Sequence, residues 1–264
     1  MATVSVFKKV PTFTLYQIRL AHLCALHIWE GREFDTANLA ECSDEDLLFE
    51  FSTRFQATRA NPNTTYQIDR DLIRQLIRVA RLKALYRSTS RINFQQSINT
   101  IRNATVNSYD NWLANPASLT VTGHATTAIL ELGMGFVTQP RGINASKNYR
   151  VPLASRVLFF AAPDMLVFNY SNGLGNAMNF QSRPQAAIQY FNIELYDGLR
   201  RNNALLSRCK MPAPRRLNQA NWNRANNGGW WQRRVLDIAL LLHFNVTYAH
   251  PDLVRLARSG YPVI

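Results

Sequence analysis

Residues 235–242 read Val-Leu-Asp-Ile-Ala-Leu-Leu-Leu, seven apolar side chains and one carboxylate in little more than two helical turns. A helix carrying such a run is apolar around its whole circumference, so it must be enclosed on every side. Enclosing it takes several amphipathic elements packed in a ring, and the rest of the chain reads as a supply of them. Residues 12–30 carry Leu15, Ile18, Leu23, Leu26 and Trp29 in a helical run that stops at Gly31. Ser43 with Asp46 has the spacing of a capping box, opening a helix whose apolar side is Leu47, Leu48 and Phe51. Asn61-Pro62-Asn63 is a loop, and a third helix runs from near Asp69 to about Tyr86. Further helical patterns cover 91–105, 108–114, 122–133, 152–162, 183–202, 229–244 and 250–259. Residues 203–228, with Pro212, Pro214 and Asn226-Asn227-Gly228-Gly229, read as a loop. Strand-like alternation is confined to short ambiguous stretches near Val121 and Val137. The expectation is an all-α fold built as one domain over residues 1–264, with a division into subdomains 1–120 and 121–264 left open.

Charge is the second constraint. The chain holds 25 arginines and five lysines against 17 acidic residues, a formal net charge of +13. It is unevenly placed. Residues 1–50 carry four basic and eight acidic side chains, net −4, and the remainder carries 26 against nine, net +17. On the helix 69–86, Arg70, Arg74, Arg78 and Arg81 fall in one stripe opposite Leu72, Ile73, Leu76, Ile77 and Val79. Such a stripe is either a solvated face or a phosphate-facing one. Asp69 and Asp71 are its only acids, and both sit at the N-terminus, where they suit the helix dipole. Arginine presents a planar fork of donors that matches phosphate, so a polyanion is the first partner to expect.

Several classes are excluded by composition. No run of about 18 apolar residues is present, so no membrane span and no membrane partner are expected. Residues 1–11 lack the apolar stretch of a secretory signal. Cys24, Cys42 and Cys209 are odd in number and form no CxxC. His22, His27, His124, His243 and His250 form no metal-binding pair, so neither a metal nor a cofactor is expected. A reducing, cytoplasmic setting fits best. No P-loop, GxGxxG or GxSxG is found; Gly133-Met-Gly135 and Gly173-Leu-Gly175 are fragments only.

One segment carries a resemblance. Residues 150–171 contain Ala154-Ser155-Arg156, the apolar stretch Val157–Ala162, Pro163-Asp164, then Val167-Phe168-Asn169-Tyr170. In order and spacing this resembles the core of the helix-hairpin-helix DNA glycosylases, in particular the bacterial 8-oxoguanine-glycosylase-fold branch. The resemblance implies a multi-helix glycosylase-like fold. It also implies a base flipped out of double-stranded DNA and cleaved from its sugar, leaving an abasic site. Two positions depart from the family. Its nucleophilic lysine is replaced by Arg156, which stays protonated and cannot attack a sugar carbon. Its aspartate is replaced by Asn169, which can orient water but brings no negative charge. What the resemblance then implies is a monofunctional glycosylase without lyase chemistry, or a DNA-binding module on the same fold that has lost catalysis. A missing carboxylate could come from Asp164 or from Asp237; the plainer readings are a turn residue after Pro163 and an ion pair with Arg233 or Arg234.

Around this core the sequence offers contacts. Ser155, Arg215, Arg216, Arg224, Arg233 and Arg234 are candidate DNA-binding residues, with the stripe on 70–81. Tyr170, Asn172, Trp222, Trp230 and Trp231 are candidates for a base pocket, since stacking faces and amide groups suit a flipped base. For at least one of Trp230 and Trp231 the plainer reading is packing under the loop or at the start of the buried helix. Some bacterial antiphage proteins of this glycosylase class act on hypermodified cytosine, so modified phage DNA is an allied expectation, with the chain acting as a monomer. A basic protein-interaction domain is the reading unconnected with nucleic acid.

Overall fold

A computed structural model describes residues 7–31, 43–60, 151–180, 184–262 and 264. The described residues form nine helices and no strand. These are α1 (Leu15–Trp29), α2 (Asp44–Ala60), α3 (Val151–Ala161), α4 (Asn172–Ala177), α5 (Pro184–Arg201), α6 (Asn203–Leu206), α7 (Gln219–Asn227), α8 (Trp230–His243) and α9 (Pro251–Arg258). The all-α expectation is met at this level. The helices expected over 69–86, 91–105, 108–114 and 122–133, and with them Arg70, Arg74, Arg78 and Arg81, lie outside the described residues.

The apolar run of 235–242 sits on α8 and is enclosed by α1, α5, α6 and α7. From Trp230 to Leu240 every α8 residue except Gln232 is buried. The most extensive packing on α8 is that of α1, which also packs on α9; α2 packs on α3. One hydrophobic cluster joins all these helices. Its aromatic centre is Trp29, Phe159, Phe160, Trp230 and Trp231, with ring centroids 5.1–6.3 Å apart along the chain of contacts. The Trp230 indole N–H is satisfied inside this cluster by the Phe159 carbonyl at 2.8 Å.

Local chemistry sets the helix ends. Ser43 and Asp46 form the reciprocal cap anticipated from their spacing: the Asp46 N–H donates to Ser43 Oγ at 3.0 Å, and Asp46 Oδ2 accepts from the Ser43 N–H at 3.2 Å. Thr14 and Gln17 make a second capping box at α1. Starting α1 at Leu15 leaves that side chain 37% exposed, so the expected apolar face begins at Ile18 instead.

The expected loop 203–228 contains two helices. α6 is a single turn, and α7 is Asn-rich with only Asn221 and Ala225 buried, so it lacks an apolar stripe to read. Its start is fixed by Asn218, whose side chain accepts from the Asn221 N–H at 2.8 Å. α7 turns directly into α8 through Gly228 and Gly229. Gly229 has φ +66°, and a Cβ on Gly228 would lie 2.4 Å from the Asp164 Cα, so this turn presses on the end of α3.

Candidate functional site

The side chains flanking the glycosylase-like segment converge on one buried cluster. Arg156 comes from α3, Asn169 from the extended stretch before α4, Arg234 and Asp237 from α8, and Asp44 from the first residue of α2. The Arg234 guanidinium spans two carboxylates: Nε donates to Asp44 Oδ2 at 2.5 Å and Nη1 to Asp237 Oδ2 at 3.1 Å. The Asn169 amide donates to the same Asp237 oxygen at 3.2 Å. Arg156 Nη2 lies 3.8 Å from Asp44 Oδ1, and its guanidinium covers the Phe160 ring at 4.9 Å. All five residues are at most 9% exposed. Two cations face two anions, so the cluster is close to neutral.

Its electrostatics follow from burial. Loss of water pushes the Asp237 carboxyl above its ordinary value, against the pull of Arg234, Arg156 and the Asn169 amide. Burial would lower Arg234, but Asp44 and Asp237 more than reverse this and hold it charged. Asp237 Oδ1 is buried and makes no hydrogen bond among the described residues. One carboxylate oxygen is therefore held by two donors while the other keeps its lone pairs, the arrangement of a group able to accept a proton or a water.

Other expected residues go elsewhere. Arg233, placed by the sequence among phosphate contacts, is 1% exposed, and its fork is ringed by backbone carbonyls. It donates to Val167 O at 2.8 Å and to Met165 O and Pro163 O, and reaches Gly228 O and Gly229 O at 3.4 Å. Burial lowers its pKa to about 9, so it is still charged at neutral pH. It satisfies the carbonyls of the turn after α3 and presents nothing to a phosphate. Arg234 is likewise committed to two carboxylates. Asp164, considered as a catalytic carboxylate, pairs bidentately with Arg224, Nη2 to Oδ1 at 2.9 Å and Nε to Oδ2 at 3.2 Å. Ser155 is buried; its hydroxyl accepts from the Tyr170 N–H at 3.0 Å, tying α3 to the segment carrying Asn169.

The aromatic candidates also part company. Trp230 and Trp231 are fully buried and present no face to a base; their place in the α8 core leaves none. Trp222 lies on α7, not in a loop, half-buried with its indole N–H donating to the Pro212 carbonyl at 2.7 Å. Tyr170 is half-buried, edge-on to Phe191 at 4.9 Å. Asn172 is exposed at the start of α4, a helix capped by Ser171. Arg215 and Arg216 remain exposed. Asp44 went unnoticed in the sequence. The available signal was its place in Asp44-Glu45-Asp46, an acidic triplet in an otherwise basic chain. Glu45 is the neighbouring surprise: its Oε1 accepts from the backbone N–H groups of Arg215, Arg216 and Leu217, at 2.5, 2.8 and 3.3 Å.

Among the described residues no helix is long and apolar enough to cross a membrane. No family model matches the sequence, and no curated protein or solved structure matches it.

Proposed function

We propose that this protein binds duplex DNA and hydrolyses the N-glycosidic bond of a flipped, damaged or modified base, as a monofunctional glycosylase. The observation that carries the reading is the Asn169–Asp237 contact. The glycosylase-like segment lacks its carboxylate at position 169, and the Asn169 amide holds one from α8. In this reading Asp237 Oδ1 accepts a proton from water as the water oxygen bonds to C1′ and the C1′–N bond breaks. The departing base keeps the bonding electron pair and takes up a proton. The carboxylate offsets the positive charge developing on the sugar. Burial, by raising the Asp237 pKa, makes it a stronger base. Arg156 cannot form a Schiff base, so the product is an intact abasic strand. Modified phage DNA stays within this proposal as one candidate substrate.

A second reading has its own support. The five charged and amide groups are buried and held together by ion pairs and hydrogen bonds, as in a clamp joining α2, α3 and α8. On this reading the protein is a non-catalytic DNA-binding module. Incubating the full chain with duplexes carrying a panel of modified bases, then cleaving abasic sites with alkali, separates the two. Base release that falls by about 10²–10⁴ in Asp237→Asn, while the variant, shown to be folded by circular dichroism at the assay temperature, keeps its DNA affinity, supports the enzyme. No release on any substrate, with DNA still bound, supports the module.

A further inference from the structure

We infer that the irregular segment 207–216, between α6 and α7, is a preorganised rail that holds a DNA phosphate backbone through Arg208, Lys210 and Arg215. This rests on the DNA-binding reading above and names the surface of contact. No acidic residue occurs between Asp197 and Asp237, while nine basic ones do. Of these, Arg233 and Arg234 are buried and Arg224 is taken by Asp164. Arg200 lies over the Tyr196 ring on α5, Arg201 pairs with Glu194 and Arg216 with Asp46. Arg208, Lys210 and Arg215 are exposed and make no ion pair among the described residues.

The backbone beneath them is pinned. Cys209, Met211 and Leu217 are buried, so Arg208 and Lys210 alternate outward with two inward anchors. Pro212 and Pro214 restrict the chain between them. The Lys210 carbonyl meets His22 Nε2 at 3.3 Å, the Pro212 carbonyl takes the Trp222 indole N–H at 2.7 Å, and Glu45 gathers three consecutive N–H groups from Arg215 onward. An ordinary solvated face needs none of these ties. Fixing the backbone before binding lowers the ordering cost of a phosphate contact. Glu45 follows Asp44 directly, so the rail is moored one residue from the buried Asn169–Asp237 cluster. A strand lying on it would pass beside the residues proposed for base removal.

The test measures binding of the full chain to a fluorescent unmodified duplex across a salt series, for the wild type and for Arg208→Ala/Lys210→Ala/Arg215→Ala. Parallel arms use heparin and vesicles of phosphatidylserine with phosphatidylcholine. Three lost phosphate contacts should lower the slope of log K against log salt by about three, and weaken binding about 10–100-fold near physiological salt. The single variants Arg208→Gln and Lys210→Gln should each lower the slope by about one, which keeps the test valid if the triple variant fails to fold. Arg208→Lys should keep the slope, because a point charge suffices for phosphate. An unchanged slope in variants of a wild type that binds DNA overturns the rail and leaves the DNA reading standing. A wild type with no measurable duplex affinity overturns both. Binding to vesicles that is tighter than to DNA and lost in the same variants overturns the rail as a DNA surface.

Discussion

Two Arg-Arg pairs stand eighteen residues apart in the chain, Arg215-Arg216 and Arg233-Arg234, and they do opposite work. The first pair is on the surface, with Arg216 74% exposed and weakly tied to Asp46. The second is at most 4% exposed, with one fork filled by carbonyl oxygens and the other by carboxylates. The same dipeptide thus serves as a solvent-facing cation in one place and as internal scaffolding in the other. What differs is the element: a bend after a proline-containing stretch in the first case, the central helix α8 in the second. A positive net charge on the whole chain therefore overstates the charge available to a polyanion.

The contrast is sharpest at Asp44, which holds Arg234 through two oxygens and faces Arg156. Asp44→Asn leaves two buried guanidinium groups with one carboxylate between them. The expected loss is about 3–5 kcal/mol in denaturant unfolding, since stranding a buried charge costs far more than losing a surface pair. Arg215→Ala and Arg216→Ala should each stay within about 0.5 kcal/mol of the wild type. A similar loss at both places would break the comparison. Arg233→Met comes next, at about 3 kcal/mol, because it leaves the carbonyls of Pro163, Met165 and Val167 without their donor.

Much of this architecture could be read in advance. The all-round apolar run predicted a central helix, and the Ser43–Asp46 spacing predicted the start of α2, because both depend on local periodicity and capping. The meeting of Arg156, Asn169 and Asp237 was only partly legible. The pairing of Asp237 with Arg234 follows from helical spacing, one turn apart, but Asn169 reaches it across 68 residues of chain. Asp44 is 190 residues from Arg234, and no pattern in sequence signals such a contact. Trp230 and Trp231 belong to the core and not to a base pocket, and the sequence does not show it because basic, Asn-rich flanks look alike at a surface and at the mouth of a buried helix. α7 reads as a loop for the opposite reason: a helix lying mostly at the surface can be built from Asn and Gln, which carry no apolar period.

His22 stands where the two regions meet, with its ring edge-on to Trp231 at 5.9 Å and its Nε2 on the carbonyl of Lys210. Burial lowers its pKa from 6.5 to about 4, against the lesser effect of the Lys210 carbonyl. Between those values the unfolded chain binds a proton that the folded chain refuses. Stability is therefore full above pH 6.5 and falls as pH drops through the window toward 4. The expected loss from pH 7 to pH 5 is about 2 kcal/mol, and His22→Gln should remove that part of the pH dependence. An equal slope in the variant would mean that another group carries it.

The smallest effect belongs to the pair that falls between the two classes. Arg224 and Asp164 are 22% and 17% exposed at their side chains, neither surface nor core, and their bidentate geometry joins α7 to the turn after α3. Solvent screens such a pair more than the Arg234 cluster and less than Arg216 with Asp46. A double-mutant cycle on Asp164→Asn and Arg224→Gln should give a coupling of about 1 kcal/mol in unfolding. A coupling near 3 kcal/mol would move the pair among the buried scaffold charges and remove Arg224 from any phosphate-binding role. A coupling near zero would instead release Arg224 to the surface set, extending the basic face from the 207–216 segment onto α7. The measured coupling thus fixes where scaffold ends and binding surface begins.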